Sequence, residues 1–287
     1  MSIFDFFNKK SDSVPEGLVS RLAKNEIVMS VDTDPGVIPG YASKLGGKPW
    51  LPRDFQWPVY ESDKIRPLSF LCQINLEEVS PYDRDRVLPG KGMLYFFYEC
   101  DAFCWGFDPE DKGCARVFYF EDTDGFAPME LPEDLEKDYA VPEMAVRFKA
   151  QPSYPKYEEL EHHSSLECDW EKYDEALEKL GVDMDAENHK LLGYADIIQN
   201  EMLSECERVT RGIYCGDPSG YQDASEDEEA SILRSAKDWT LLLQLTTLEK
   251  EDWEWMWGDC GMLYFYIKRQ DLAARRFENA WFSLQCG

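Results

Sequence analysis

The sequence predicts an α+β protein, mostly antiparallel β, in the form of an internally duplicated pseudo-symmetric sheet with peripheral helices. Three observations predict it. Short aromatic-rich runs free of proline recur along the chain, one of them is repeated letter for letter, and helical periodicity is confined to a few segments in a chain with 18 Gly and 16 Pro. The repeated run is Gly92-Met-Leu-Tyr-Phe96, which returns as Gly261-Met-Leu-Tyr-Phe265. A shared pentapeptide alone could be chance, so the flanks decide. Gln73 precedes the first copy in Phe70–Leu76, Gln244 precedes the second in Leu241–Thr247, and Lys44-Leu-Gly-Gly47 matches Lys190-Leu-Leu-Gly193. Three blocks in one order predict a single domain over 1–287, with pseudo-repeat halves 41–120 and 186–287 and an acidic connector 122–185 packed outside.

The elements follow in chain order. Ser13-Val-Pro-Glu16 opens a helix with a capping residue and a first-turn proline, and Leu18, Val19 and Leu22 continue it at helical spacing. Strands are expected at Ile27–Val31, Phe70–Leu76, Leu94–Tyr98, Ala115–Glu121, Met144–Lys149, Leu241–Leu245, Leu263–Ile267 and Ala280–Gln285. Apolar residues fall on both faces of the repeated strands, which predicts central strands covered on both sides. Trp170, Tyr173, Leu177 and Leu180 share one helix face before Gly181 stops it, and Glu226–Lys237 is a third helix. Ser43 to Pro52, with Trp57-Pro58 after it, reads as a rigid Gly, Pro and Trp turn.

Charge separates scaffold from decoration. The chain of 287 residues carries 30 Lys and Arg against 57 Asp and Glu, a formal charge of −27. Residues 121–138, 158–187 and 217–230 together hold 26 acids against three bases, so 23 of the 27 excess negative charges sit in three stretches. Such a balance repels phosphate backbones and anionic membrane surfaces, so neither nucleic acid nor membrane is an expected partner. No apolar run approaches the roughly 20 residues of a membrane span. The start, Met1 to Lys10, has its basic residues after its apolar part, the reverse of a secretory signal. A soluble, cytoplasmic protein is expected, and its acidic stretches would either keep it in solution or dock a basic protein.

Chemistry-bearing motifs are missing. There is no phosphate-binding G-x-x-x-x-G-K-[ST], no G-x-G-x-x-G after a strand, no H-E-x-x-H and no G-x-S-x-G. Nine cysteines in a cytoplasmic chain are expected as free thiols, including the Cys100, Cys104 and Cys114 group, which lacks the partners of a zinc site. No metal and no cofactor are expected. His162-His163 is a poor chelate because adjacent side chains point apart, and His189 takes the place that Ser43 holds in the first half. What remains is the equivalent pair Gln73 and Gln244. An amide in an apolar strand must pair internally or face a pocket, because leaving it unbonded costs about 1–3 kcal/mol. Asn75 lies on the same strand face as Gln73. With Lys44 and Trp57, these form the candidate ligand-binding set.

Several blocks taken together carry a family resemblance. Lys44-Leu-Gly-Gly-x-Pro-x-Leu-Pro52, Trp57-Pro58, Pro67-Leu-x-Phe-Leu-x-Gln-Ile-Asn-Leu76, Gly92-x-Leu-Tyr-Phe-Phe97, Leu191-Leu-Gly-Tyr194 with Gln199, Trp239-x-Leu-Leu-Leu-Gln244, and Gly261-x-Leu-Tyr-Phe265 with Asp271-Leu272 and Phe277 resemble the YwqG-like family. That is a bacterial group classed as a domain of unknown function. The resemblance implies a mostly β, internally pseudo-symmetric α+β fold and an association with toxin and immunity loci, and it transfers no catalytic residue. The acidic 121–138 and 158–187 stretches are longer than the family core requires, so binding properties need not carry over. The leading expectation is a non-enzymatic protein-binding module, immunity-like, that masks a basic protein with its acidic surface. The alternative is a small-molecule binder or enzyme with a polar cleft between the halves, near Gln73, Asn75 and Gln244. A structural subunit is a third.

Overall fold

Ten strands pair antiparallel in one sheet. The structure is a computed structural model that describes residues 16–287 apart from 103, 184, 223, 251 and 252, so the helix cap expected at 13–15 and the segment 1–10 lie outside the described residues. The strands are β1 (Lys24–Asp32), β2 (Lys44–Leu45), β3 (Ser69–Asn75), β4 (Met93–Tyr98), β5 (Ala115–Phe120), β6 (Met144–Ser153), β7 (Lys190–Leu192), β8 (Trp239–Thr246), β9 (Met262–Lys268) and β10 (Trp281–Gln285). Their order is β10-β9-β8-β7-β1-β6-β2-β3-β4-β5. At the centre β1 and β6 pair from Lys24 with Ser153 to Asp32 with Ala145.

The sheet curls. Six strands separate β4 from β9, which in a flat sheet would put them about 34 Å apart. Instead the Phe96 and Phe265 rings meet edge-on with centroids 5.2 Å apart, and Tyr98 meets Phe282 at 5.5 Å. Leu94, Phe96 and Tyr98 thus share one interior with Leu263, Phe265 and Ile267, where each fully buried large apolar side chain contributes about 1.5–3 kcal/mol. Period-two alternation sends Met93, Tyr95, Phe97, Met262, Tyr264 and Tyr266 to the outer face, and these are buried as well. Over β3 and β4 the cover is the 51–68 segment with Phe55 and Trp57. Over β8 and β9 it includes the helix Leu203–Thr210, against which Glu226–Ala236 packs. The helix Trp170–Lys179 packs on Glu16–Val19 in a smaller cluster. Among the described residues no helix is long and apolar enough to cross a membrane.

The repeated pentapeptide opens with glycine for a steric reason. A Cβ on Gly92 would lie 2.4 Å from the Phe120 carbonyl oxygen, and one on Gly261 would lie 2.1 Å from that of Gln285. Neither position has room for a side chain.

All eight strands expected from the sequence are present, with shifted ends. Four features differ from expectation. Lys44–Leu45 and Lys190–Leu192 are short strands that complete the sheet, because each is hydrogen-bonded between two longer strands. The 122–185 stretch does not lie wholly outside, since its strand β6 runs beside β1 at the sheet centre. Leu203–Thr210 is an unforeseen helix whose Glu207 and Arg208 are buried with its apolar residues, which erases the amphipathic pattern. Trp170 is 58% exposed, so the buried stripe of its helix begins at Tyr173.

Candidate functional site

Two rows of side chains cross the outer face. Lys44, Gln73 and Tyr95 stand opposite one another on β2, β3 and β4, and Lys190, Gln244 and Tyr264 on β7, β8 and β9. Gln73 Oε1 accepts the Trp50 N–H at 2.9 Å, and its Nε2 donates to the Gly40 and Ala42 carbonyls at 2.6 and 2.8 Å. The Tyr95 hydroxyl donates to the Trp50 carbonyl. Gln244 Oε1 accepts the Asp196 N–H at 2.9 Å, its Nε2 donates to the Asn188 carbonyl at 2.8 Å and to Asp196 Oδ2 at 2.6 Å, and the Tyr264 hydroxyl donates to the Asp196 carbonyl at 2.7 Å. Each amide therefore ties a loop, 40–50 or 188–196, onto the sheet.

The lysines are paired in the same manner. Lys44 Nζ donates to the Lys48 carbonyl at 2.8 Å and to Glu143 at 2.5 Å; Lys190 Nζ donates to Glu26 at 3.0 Å and Asp196 at 2.6 Å. Ser43 Oγ accepts the Asn75 N–H and His189 Nδ1 accepts the Thr246 N–H, at 2.8 and 3.0 Å. Burial lowers the His189 imidazole to about 4, which keeps it neutral and able to accept. Gly47 and Gly193 adopt φ of +68° and +78°, and a Cβ there would lie 2.7 and 2.6 Å from the Cβ of Glu143 and Glu26 respectively. Glycine lets each acid approach its lysine.

These positions place the sequence candidates. Gln73 and Gln244 do not meet: four strands stand between β3 and β8, a path of about 24 Å along the sheet. Asn75 caps the short helix Leu76–Val79 by accepting the Glu77 N–H at 2.9 Å, and it donates to the Tyr41 carbonyl at 3.1 Å. It lines a cavity of about 470 Å³ with Tyr41, Lys91 and Glu121. Trp57 donates to the Leu68 carbonyl at 2.8 Å and packs edge-on against Phe97.

A second buried polar cluster lies under the helix Leu203–Thr210. Ser204 bonds Glu201 through its hydroxyl and its N–H, His162 Nε2 lies 3.2 Å from Glu201, and Ser283 Oγ donates to Glu205 at 3.1 Å. Glu201 stands between Ser204 and His162, so the hydroxyl donates to the carboxylate and not to the imidazole. Burial pushes the Glu205 carboxyl up to about 7, well above an unfolded glutamate. A raised folded value adds stability that is complete below about pH 4.5 and lost as pH rises through about 7. Glu205→Gln keeps an acceptor for Ser283 without the charge. It is expected to be more stable than the parent by about 3 kcal/mol at pH 8, with the gap closing near pH 4.5, in urea melts at both values.

The cysteines need a correction. Cys104 and Cys114 are joined by a disulfide rather than being free thiols, because the turn between them brings their Cα atoms to 6.4 Å. Asp111 lies beside both sulfurs, but sulfurs bonded to each other do not serve as a thiolate pair for a metal. Cys72, Cys100, Cys168, Cys206, Cys215, Cys260 and Cys286 are free.

An aromatic cavity lies away from the residues singled out from the sequence. A groove of about 480 Å³ runs between the 137–142 segment and residues 253–257. Tyr139, Trp253, Trp255 and Trp257 wall it, Asp138, Glu254 and Lys137 line it, and Cys100 lies at its side. Trp255 and Trp257 pack with ring centroids 4.9 Å apart. Trp255 is 8% exposed, and its indole N–H has no hydrogen-bond partner among the described residues. Burial pushes the Cys100 thiol up to about 12, so it is not a nucleophile at neutral pH.

A family model described as Domain of unknown function (DUF1963) matches residues 43–286. The chain belongs to this family. No curated protein matches it. The DUF1963 region contains both Lys-Gln-Tyr rows and the whole aromatic groove, whereas β1, with the Glu26 that pairs with Lys190, precedes it. Trp253-x-Trp255-x-Trp257 was the available signal for the DUF1963 groove, since spacing two puts side chains on one face of an extended chain, and the strand Trp253–Trp255 holds the first two of the three rings.

Proposed function

We propose that this protein is a non-enzymatic binding module for a basic protein partner, and that a cationic side chain of the partner enters the groove between residues 137–142 and 253–257. An immunity protein masking a basic toxin is one form of this reading. The observation that carries it is the pairing of four aromatic walls with Asp138 and Glu254 in a chain of charge −27. An ammonium or guanidinium over an indole face gains about 0.5–2 kcal/mol, most when water is excluded. The acidic 121–138 stretch ends at the groove, where Lys137 and Asp138 line it, so long-range attraction and the local pocket act on the same partner.

A fluorescent peptide of alternating Arg and Gly tests it. Anisotropy at low salt is expected to show saturable binding that weakens at physiological salt. Trp253→Ala and the double variant Asp138→Asn with Glu254→Gln should each lose about tenfold in affinity, the value of one cation–π contact or one rim pair. Absence of binding, or binding that these variants leave unchanged, would overturn the proposal.

The second reading, a small-molecule site between two halves, moves from the neighbourhood of Gln73, Asn75 and Gln244, whose glutamine amides bond within the protein, to the same groove, where Cys100 and Tyr139 face residues 253–257. It rests on the further proposal that the sheet is two copies of one unit within a single domain, β2 to β5 with β6 and β7 to β10 with β1. Support comes from matched positions: Lys44 and Lys190, Glu143 and Glu26, Gln73 and Gln244, Tyr95 and Tyr264, Gly92 and Gly261 make the same kinds of contact.

A further inference from the structure

We infer that a second cavity, which shares no lining residue with the aromatic groove and is independent of the reading above, is a binding site for an aromatic phosphorylated small molecule. It has a volume of about 670 Å³, within the range of ordinary ligand sites. Lys112 and Arg116 come from the turn before β5 and from β5 itself, Arg211 from the end of the helix Leu203–Thr210, Lys268 from the end of β9, and Arg276 from the turn before β10. Five cations converge there in a chain that has nearly two acids for every base.

The acids present do not neutralise them. Glu207 serves Arg211 and Lys268 at 2.7 and 2.8 Å and also accepts the Trp239 indole N–H. Asp271 serves Arg276 at 2.7 Å and the Asn279 amide at 3.1 Å. Lys112 and Arg116 form no ion pair among the described residues, and both are exposed. Counting Glu207, Asp271 and Glu278, the site keeps an excess of two positive charges. That excess matches a phosphate dianion, which accepts several charge-assisted hydrogen bonds at once.

The cavity also has an apolar floor. Trp239 and Trp281 line it, 2% and 8% exposed, with Lys268 Nζ 5.3 Å from the Trp239 ring centroid; their indole N–H groups are already spent on Glu207 and on the Gly106 carbonyl, so the small ring surface they present is apolar. A flat ring carrying a phosphate satisfies floor and rim together. The negative field of the rest of the chain repels anions, so binding of one here reads out this site alone.

Phenyl phosphate is the probe, followed by calorimetry, with phenol and inorganic phosphate as controls. Phenyl phosphate is expected to bind at one site at millimolar concentration or below, and each control at least about tenfold more weakly. Lys112→Gln with Arg116→Gln touches no internal bond, so it should keep the melting temperature while weakening phenyl phosphate about tenfold. No binding of phenyl phosphate, or equal affinity of the parent and this variant, overturns the inference. Binding of inorganic phosphate as tight as that of phenyl phosphate overturns the aromatic part.

Discussion

Lys190→Met is expected to destabilise the protein by about 3–5 kcal/mol, whereas Lys44→Met should cost only about 1–2 kcal/mol. Both lysines are buried and both pair with a carboxylate, so the difference comes from the partners. The side chains of Glu26 and Asp196 are 6% and 16% exposed, while Glu143 is 42% exposed. Removing Lys190 strands two carboxylates in a medium that solvates charge poorly; removing Lys44 leaves an acid that water can reach. Methionine fills most of the lysine volume, so a cavity contributes little. Urea melts of both variants measure the contrast, and equal losses would show that the partners' burial does not govern the effect.

Gln73→Leu and Gln244→Leu are each expected to cost on the order of 3–6 kcal/mol, because leucine fits the space but strands the groups each amide served, at about 1–3 kcal/mol apiece. For Gln73 these are the Trp50 N–H and the Gly40 and Ala42 carbonyls; for Gln244 they are the Asp196 N–H and carboxylate and the Asn188 carbonyl. The two sites lie about 24 Å apart along the sheet and share no partner, so their losses should add. Lys190→Met with Gln244→Leu should be clearly non-additive, since both act on Asp196. A loss below about 1 kcal/mol for either leucine variant would mean that the amides do not hold the loops.

Some of this was legible in the residues alone. The runs around Tyr95 and Tyr264 announce strands covered on both faces because their residues are apolar or aromatic; in the sheet each lies one place in from an edge, not at the centre. The similar blocks around Gln73 and Gln244 were visible, and the two amides make the same kinds of bond. Their common task was not visible, because an amide's partners here are backbone groups of a loop, and backbone groups carry no signature in a sequence. The helix Leu203–Thr210 escaped notice for a related reason. Glu207 and Arg208 look like a solvated face until Trp239, Lys268 and Glu229 are placed against them.

The amino-acid sequence by itself determined the strand set, the paired blocks and the segregated acid, all of which depend on side-chain type and short-range spacing. Tertiary structure alone decided which acid meets which lysine, which cysteines bond, and that residues 137–142 and 253–257 enclose a groove. It also brought five cations from three regions of an acidic chain to one cavity. The physical reason is that strand pairing and the curl of the sheet join residues far apart in the chain, 99 positions for Lys44 and Glu143 and 164 for Lys190 and Glu26, and contacts at that separation leave no periodic trace; the disulfide spans only ten positions but needs the turn that closes it.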